Sequence, residues 1–445
     1  MTEQHRSRRR ARGPERSTGS GAAQAHGGGE HGDGGAAHGH SHSGGLDLPR
    51  AQTRKVRTIL LAIVIPLLIA TLVGMVALWP RGETPIRSIP ITTSGMSIET
   101  GEVVEVLTDP EDVESGAPPG EYVGAAGGQV RVELLSGSGA GQFVPVQVPP
   151  EVIAGGVSEG DVLQLLFSPE ALGTGSPYVF WDFERSAPVG WLALIYLAVV
   201  LLVARWRGLA AVAGLGSSLL VIVVFVLPAI MLGSPPVLVA LVGAAAVMFL
   251  SLYLAHGISI RTTTALLGTF AALGVTLALA AWSTRAANLL GTNSEAAPYL
   301  ALEFPHLNLG DLLLCGMIIA SLGALNDVTI TQASAVWELH AANPATPRRT
   351  LMMRGMRIGR DHIASTVYTL AFAYVGTALP VLMMASLIQR PVLDTLMAGE
   401  IADEVVRTLV SSVGLVFAIP ATTAIAVVLV AYSRERRVTE DTTPS

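Results

Sequence analysis

Eight stretches of this chain are apolar over roughly the 20 residues that a helix needs to cross a bilayer. They lie near 58–79, 189–205, 208–231, 236–255, 263–282, 309–326, 363–388 and 407–432. Charged residues make up 14% of the 445 positions and the mean hydropathy is +0.52. Soluble domains carry about 25% charged residues, so composition excludes a soluble enzyme with one large core. The expected fold is mainly α: a polytopic helical membrane protein of about eight transmembrane helices, with the lipid bilayer as its first partner. The segment at 58–79 reads as an anchor, because 57 residues precede it and no small-x-small cleavage site follows Trp79.

The distribution of basic residues orients the chain. With the N-terminus in the cytoplasm, 21 of the 28 Lys and Arg fall on the inside, including five between Arg348 and Arg360. Arg81, Arg87, Arg131, Arg185, Arg285, Arg390 and Arg407 fall outside. The expectation is a multi-pass protein of the cytoplasmic membrane with both termini inside. Lys55 is the sole lysine among these, and with abundant Gly and Ala it suggests a bacterial genome rich in GC. The single Cys315 excludes an intrachain disulfide.

The segments between the spans divide into tails and one large loop. Residues 1–57 hold almost no large apolar side chain and are expected to be a disordered cytoplasmic tail. His38, His40 and His42, with His26 and His31 upstream, could bind a divalent metal or belong to a tail with no metal duty. Arg8–Arg10 reads as a juxtamembrane charge patch. No other cofactor is expected. Residues 433–445 form a short C-terminal tail.

Residues 80–187 alternate like strands at 101–107, 129–136, 142–148, 160–167 and 177–183, with a turn from Gly137 to Gly141. Five short strands predict a small extracytoplasmic β-barrel-like domain, OB-like, after the first helix. Residues 99–121 carry eight acidic residues and no basic one, which excludes nucleic acid as a partner. A small ligand or an envelope or secreted protein remains as its partner, and oligomerisation is open. The helical membrane domain then runs from 188 to 432.

Polar groups at membrane depth are costly and point to function. The densest set follows the sixth span: Asn326, Asp327, Thr331 and Gln332. If the helix continues, Asp327, Thr331, Ser334 and Glu338 share one face, with Val328 and Val336 on the other. Asp327 could bind a cation or proton, or form a brace with Arg354, Arg357 or Arg360. Glu338 and His340 read as surface residues. In the seventh span His362, Thr366, Thr369, Ala373 and Thr377 recur at helical spacing as a polar, small-residue stripe, with Asp361 and His362 at its end, fit either to line a hydrated path or to pack helices closely. Pro380 and Pro420 interrupt the last two spans. No nucleotide loop, hydrolase elbow or zinc-protease motif occurs, and enzymatic activity is not expected.

Four stretches carry a family resemblance: HGIS at 256–259, GDLLLCGMIIASLGALNDVTITQASAVWEL at 310–339, RIGRDHIAST at 357–366 and YVFWDFER at 178–185. Over roughly 58–432 the chain resembles the YibE/F-like family of multipass bacterial membrane proteins. Many members carry a second acid where Asn326 stands and an asparagine where Tyr368 stands. The resemblance implies an architecture in which barrel, anchor and bundle work as one module, and it transfers no activity. Two readings follow from the residues. One is a membrane transport protein or transport-associated subunit with a polar path near Asp327 and His362. The alternative is a non-transporting platform whose extracytoplasmic domain binds a partner protein.

Overall fold

The computed structural model describes residues 50–82, 95–107, 128–171, 177–389 and 391–434. The histidines of the tail, Arg8–Arg10, most of the acidic stretch after Leu107 and the C-terminal tail beyond Arg434 lie outside the described residues.

The first helix, α1 (Arg50–Ala77), is followed by five strands and a short helix: β1 (Ser97–Val106), β2 (Gly128–Leu134), β3 (Phe143–Val148), α2 (Pro150–Ala154), β4 (Val162–Phe167) and β5 (Tyr178–Phe183). The strands fall on the five segments expected from alternation and close into a barrel in the order β1-β2-β3-β5-β4. Closure removes the unpaired edges that an open sheet of this size would leave. All pairings are antiparallel except β3 with β5. Inward positions hold Val103, Val130, Val132, Leu134, Val146, Val148, Leu163 and Leu165, and Ile153 of α2 plugs the barrel. Gly128 makes room for that plug: a Cβ there would stand 2.5 Å from Ile153 Cγ1.

The remainder is helical: α3 (Ser186–Val221), α4 (Pro236–His256), α5 (Ile260–Ala286), α6 (Ala297–Glu303), α7 (Leu309–Ala342), α8 (Arg348–Thr377), α9 (Leu379–Leu387), α10 (Val392–Leu396) and α11 (Gly399–Arg434). Among the described residues, six helices are long and apolar enough to cross a membrane. The count is seven if α8 and α9, bent by 63° at the break before Pro380, form one span. α1 and α3 leave large apolar side chains uncovered, among them Leu202 and Trp206, both over four-fifths exposed. Patches of that kind are rare on soluble monomers; lipid is the solvent that tolerates them.

The expected second and third spans both lie within the 46-residue stretch Ser186–Met231. That stretch is broken at Arg205, whose φ of 55° and ψ of −137° are non-helical. Beyond the break the chain folds back on itself, so a Cβ on Gly208 would stand 2.7 Å from the carbonyl oxygen of Val200. A π-helical turn, Ile222–Val226, follows farther along.

The bundle centres on α5, α7 and α11, which pack mutually, with α3 paired to α4 on one side and α8 against α11 and α7 on the other. Glycines set the closest approaches. A Cβ on Gly414 of α11 would stand 2.0 Å from Thr276 Oγ1 of α5, and one on Gly359 of α8 would stand 2.3 Å from Ile419 Cγ2 of α11. Threonines in this core return their hydroxyls to carbonyls of the preceding turn, as Thr269 does to Ala265 and Thr276 to Ala272, which makes a buried hydroxyl affordable in an apolar bundle.

Candidate functional site

α7 is a single 34-residue helix, so the segment after Leu325 continues helically to Ala342 without a break. Its two faces separate as the spacing implies. Val328, Ala333, Val336 and Trp337 are buried, whereas Asp327, Thr331 and Glu338 are exposed. Asp327 and Asn326 line a cavity of about 410 Å³ between α7, α4 and the second half of α3. Small residues open it: Ala211 and Gly214 on α3, and Gly323 on α7. Ile222, the first residue of the π-helical turn, also forms part of the wall; such turns recur at functional sites.

The polar side chains of this otherwise apolar lining are Ser218, Ser251, His256, Asn326 and Asp327. Asn326 Nδ2 donates to Ser251 Oγ at 3.0 Å. Asn326 Oδ1 is buried with no hydrogen-bond partner among the described residues. Ser218 turns its hydroxyl to the carbonyl of Gly214 at 2.8 Å. Asp327 enters no ion pair or side-chain hydrogen bond among the described residues; only its carbonyl is used, accepting from Thr331 Oγ1 at 2.9 Å. A brace to Arg354, Arg357 or Arg360 is therefore not formed. The cavity presents a carboxylate, an amide oxygen and a hydroxyl, a hard oxygen set suited to a cation or a proton, with an imidazole in the same lining.

The other sequence candidates go elsewhere. Gln332 is buried and locks helices together: its Nε2 donates to the carbonyl of Gly355 at 2.9 Å and to Thr423 Oγ1 at 2.6 Å. Asp361, His362, Thr366 and Thr369 lie on α8 outside this cavity. Asp361, His362 and Thr369 are exposed, and the threonine hydroxyls return to their own helix, at His362 O and Ser365 O. Glu338 pairs with Arg261 at 3.2 Å, and His340 is buried with its ring edge-on to Trp337. No group of three metal-ligating side chains occurs among the described residues.

Sequence reading missed Ser251 and His256 as partners of this site, although HGIS at 256–259 was noted, because nothing in the spacing says that α4 runs beside α7. It began the last span at Arg407, whereas α11 starts at Gly399; Arg407 lies in the third turn of α11 and, with Asp403 and Glu404, lines a separate cavity.

Among curated proteins and among solved structures, none matches the chain. The model of the family described as YibE/F-like protein matches residues 192–432, more than half of the chain and the whole region from α3 into α11 that builds the Asp327 cavity. The chain belongs to the YibE/F-like family.

Proposed function

We propose that this chain is a membrane transport protein, or a transport-associated subunit, of the cytoplasmic membrane. The observation that carries the reading is Asp327, an unpaired carboxylate opening into a cavity that also holds Asn326, Ser251 and His256. Ionisable groups within a membrane bundle are expensive, and they are kept where they handle ions or protons. The proposed path runs between α3, α4 and α7, and a cation or proton is its cargo. Asp361, His362, Thr366 and Thr369 would join such a path only where a second copy covers α8. The arrangement we favour has eight spans: the reversal at Arg205 divides the Ser186–Met231 stretch in two, and α8 with α9 makes one bent span. Both termini then lie in the cytoplasm and the barrel outside, where its strand order supports an OB-like assignment. No enzymatic activity is proposed, and a metal on the N-terminal histidines remains a separate proposal.

The test is flux of protons and alkali cations into vesicles reconstituted with purified protein, read by entrapped dyes. Asp327→Asn is expected to abolish flux while the protein still inserts and keeps its helicity. Full flux in that variant would make Asp327 structural.

One observation favours the partner-binding alternative. Ile98 on β1 pairs with Leu166 on β4, which pairs with Val179 on β5, and Trp181 continues the row along β5. Ile98, Val179 and Trp181 are each at least 40% exposed on the barrel wall. Deleting 88–187 tests it: lost function with intact insertion supports a docking role, and an intact phenotype removes it.

A further inference from the structure

A second polar site lies at the other end of the bundle, where α11 begins. Asp403, Glu404 and Arg407 occupy the first turns of α11 and line a cavity of about 220 Å³ with Ser294, walled by leucines of α6 and α7. Asp403 is 7% exposed. Its Oδ2 accepts from Asn293 Nδ2 at 3.3 Å, and Gly399, at φ +27°, packs against that asparagine. Its Oδ1 is buried with no hydrogen-bond partner among the described residues. Arg407 Nη1 donates to Glu404 Oε1 at 2.7 Å, while Glu404 Oε2 and Arg407 Nε are buried with no hydrogen-bond partner among the described residues.

The charges do not cancel. Arg407 neutralises Glu404, and Asp403 is left with one surplus negative charge in a low-dielectric setting, which a protein tolerates only when something compensates it. Two acceptor oxygens point to a donor or a cation, and the surplus charge refuses an anion. Hard oxygen donors without sulfur or imidazole favour an alkali or alkaline-earth ion over a transition metal. A surplus of one favours a single positive charge. A cavity of about 220 Å³ has room for such an ion and several waters, each of which takes about 30 Å³.

We infer that the pocket lined by Asp403 and Glu404, with Asn293 holding Asp403 in place, binds a small monovalent cation, sodium by its affinity for hard oxygen donors. The site does not depend on whether the chain transports anything, since its observations come from another cavity.

The experiment is thermal unfolding of the full chain in detergent at constant ionic strength, in sodium, potassium or choline chloride. A cation that binds only the folded state raises the midpoint in a saturable manner. We expect a rise of several degrees in sodium, less in potassium and none relative to buffer in choline. Asp403→Asn is expected to abolish the sodium rise, and Asp327→Asn to keep it, which separates this site from the transport reading. If Asp403→Asn does not fold, Asn293→Ser serves in its place and is expected to raise the half-saturating sodium concentration about tenfold. Equal midpoints in the three salts overturn the proposal. So does a sodium rise that survives Asp403→Asn, and so does a midpoint that follows pH alone, which would mean that Asp403 is satisfied by a proton.

Discussion

Asn326 of α7 reaches Ser251 of α4 through an Nδ2–H donated to Oγ at 3.0 Å, one residue away from the unpaired carboxylate of Asp327. The bond ties the two helices that flank the cavity and leaves Asn326 Oδ1 without a partner among the described residues. Ser251→Ala removes the acceptor, and the loss expected is about 0.5–2 kcal/mol, the range for hydrogen bonds in proteins and between membrane helices. Ser218→Ala, whose hydroxyl bonds only its own helix, is expected to change stability by less than about 0.5 kcal/mol. Unfolding midpoints in detergent compare the two.

Gly359 and Gly376 lie on one helix and are expected to respond with opposite signs. A Cβ on Gly359 would meet Ile419 Cγ2 at 2.3 Å and Gln332 Oε1 at 3.0 Å, whereas nothing stands within 4 Å of one on Gly376. Gly359→Ala forces α8 off α11 and is expected to lose about 1–3 kcal/mol by overpacking. Gly376→Ala is expected to gain up to about 1 kcal/mol from helix propensity. Thermal unfolding of the two variants checks the sign.

Glu184, just after β5, contributes to the acid response of the barrel. Hydrogen bonds from Ser186 and from Gln164 Nε2, at 2.7 Å for the latter, push its carboxyl down to about 2 from an ordinary 4.5. A depressed folded-state value means that the ionised form is favoured by folding, so the stabilisation is fully present above about pH 4.5 and is lost as pH falls toward 2. Glu184→Gln removes this dependence. The difference in unfolding midpoint between wild type and Glu184→Gln is expected to be constant above about pH 4.5 and to shrink below it; a difference independent of pH down to 3 would contradict the assignment.

Much of this architecture was legible because lipid imposes long apolar runs and strands impose alternation. The five barrel strands were readable, and so were the two faces that α7 shows once its helix continues past Asn326, since Asp327, Thr331 and Glu338 recur at helical spacing opposite Val328 and Val336; the continuation itself was open. The separate helices expected on either side of Arg205 are present: the helical path breaks at Arg205 itself, where a positive φ on a non-glycine residue carries the reversal. The partners of Asp327 were illegible. Helix spacing shows which side chains share a face and is silent on which helix covers it, so His362 was expected beside Asp327 and His256 was not. Asp403 was hidden by its position: a charge before an apolar run reads as solvated loop, and only the packing of Asn293 and the α7 leucines reveals that it is buried.

The central claim is that Asp327 faces a cavity reachable by water and ions. Thiol labelling tests it most directly, because the chain has one cysteine, Cys315, which is 3% exposed and serves as an internal unreactive control. Asp327→Cys in membrane vesicles is expected to react with a charged, water-soluble maleimide within minutes, while Cys315 in the parent chain stays unmodified. Equal protection of both thiols would contradict the account.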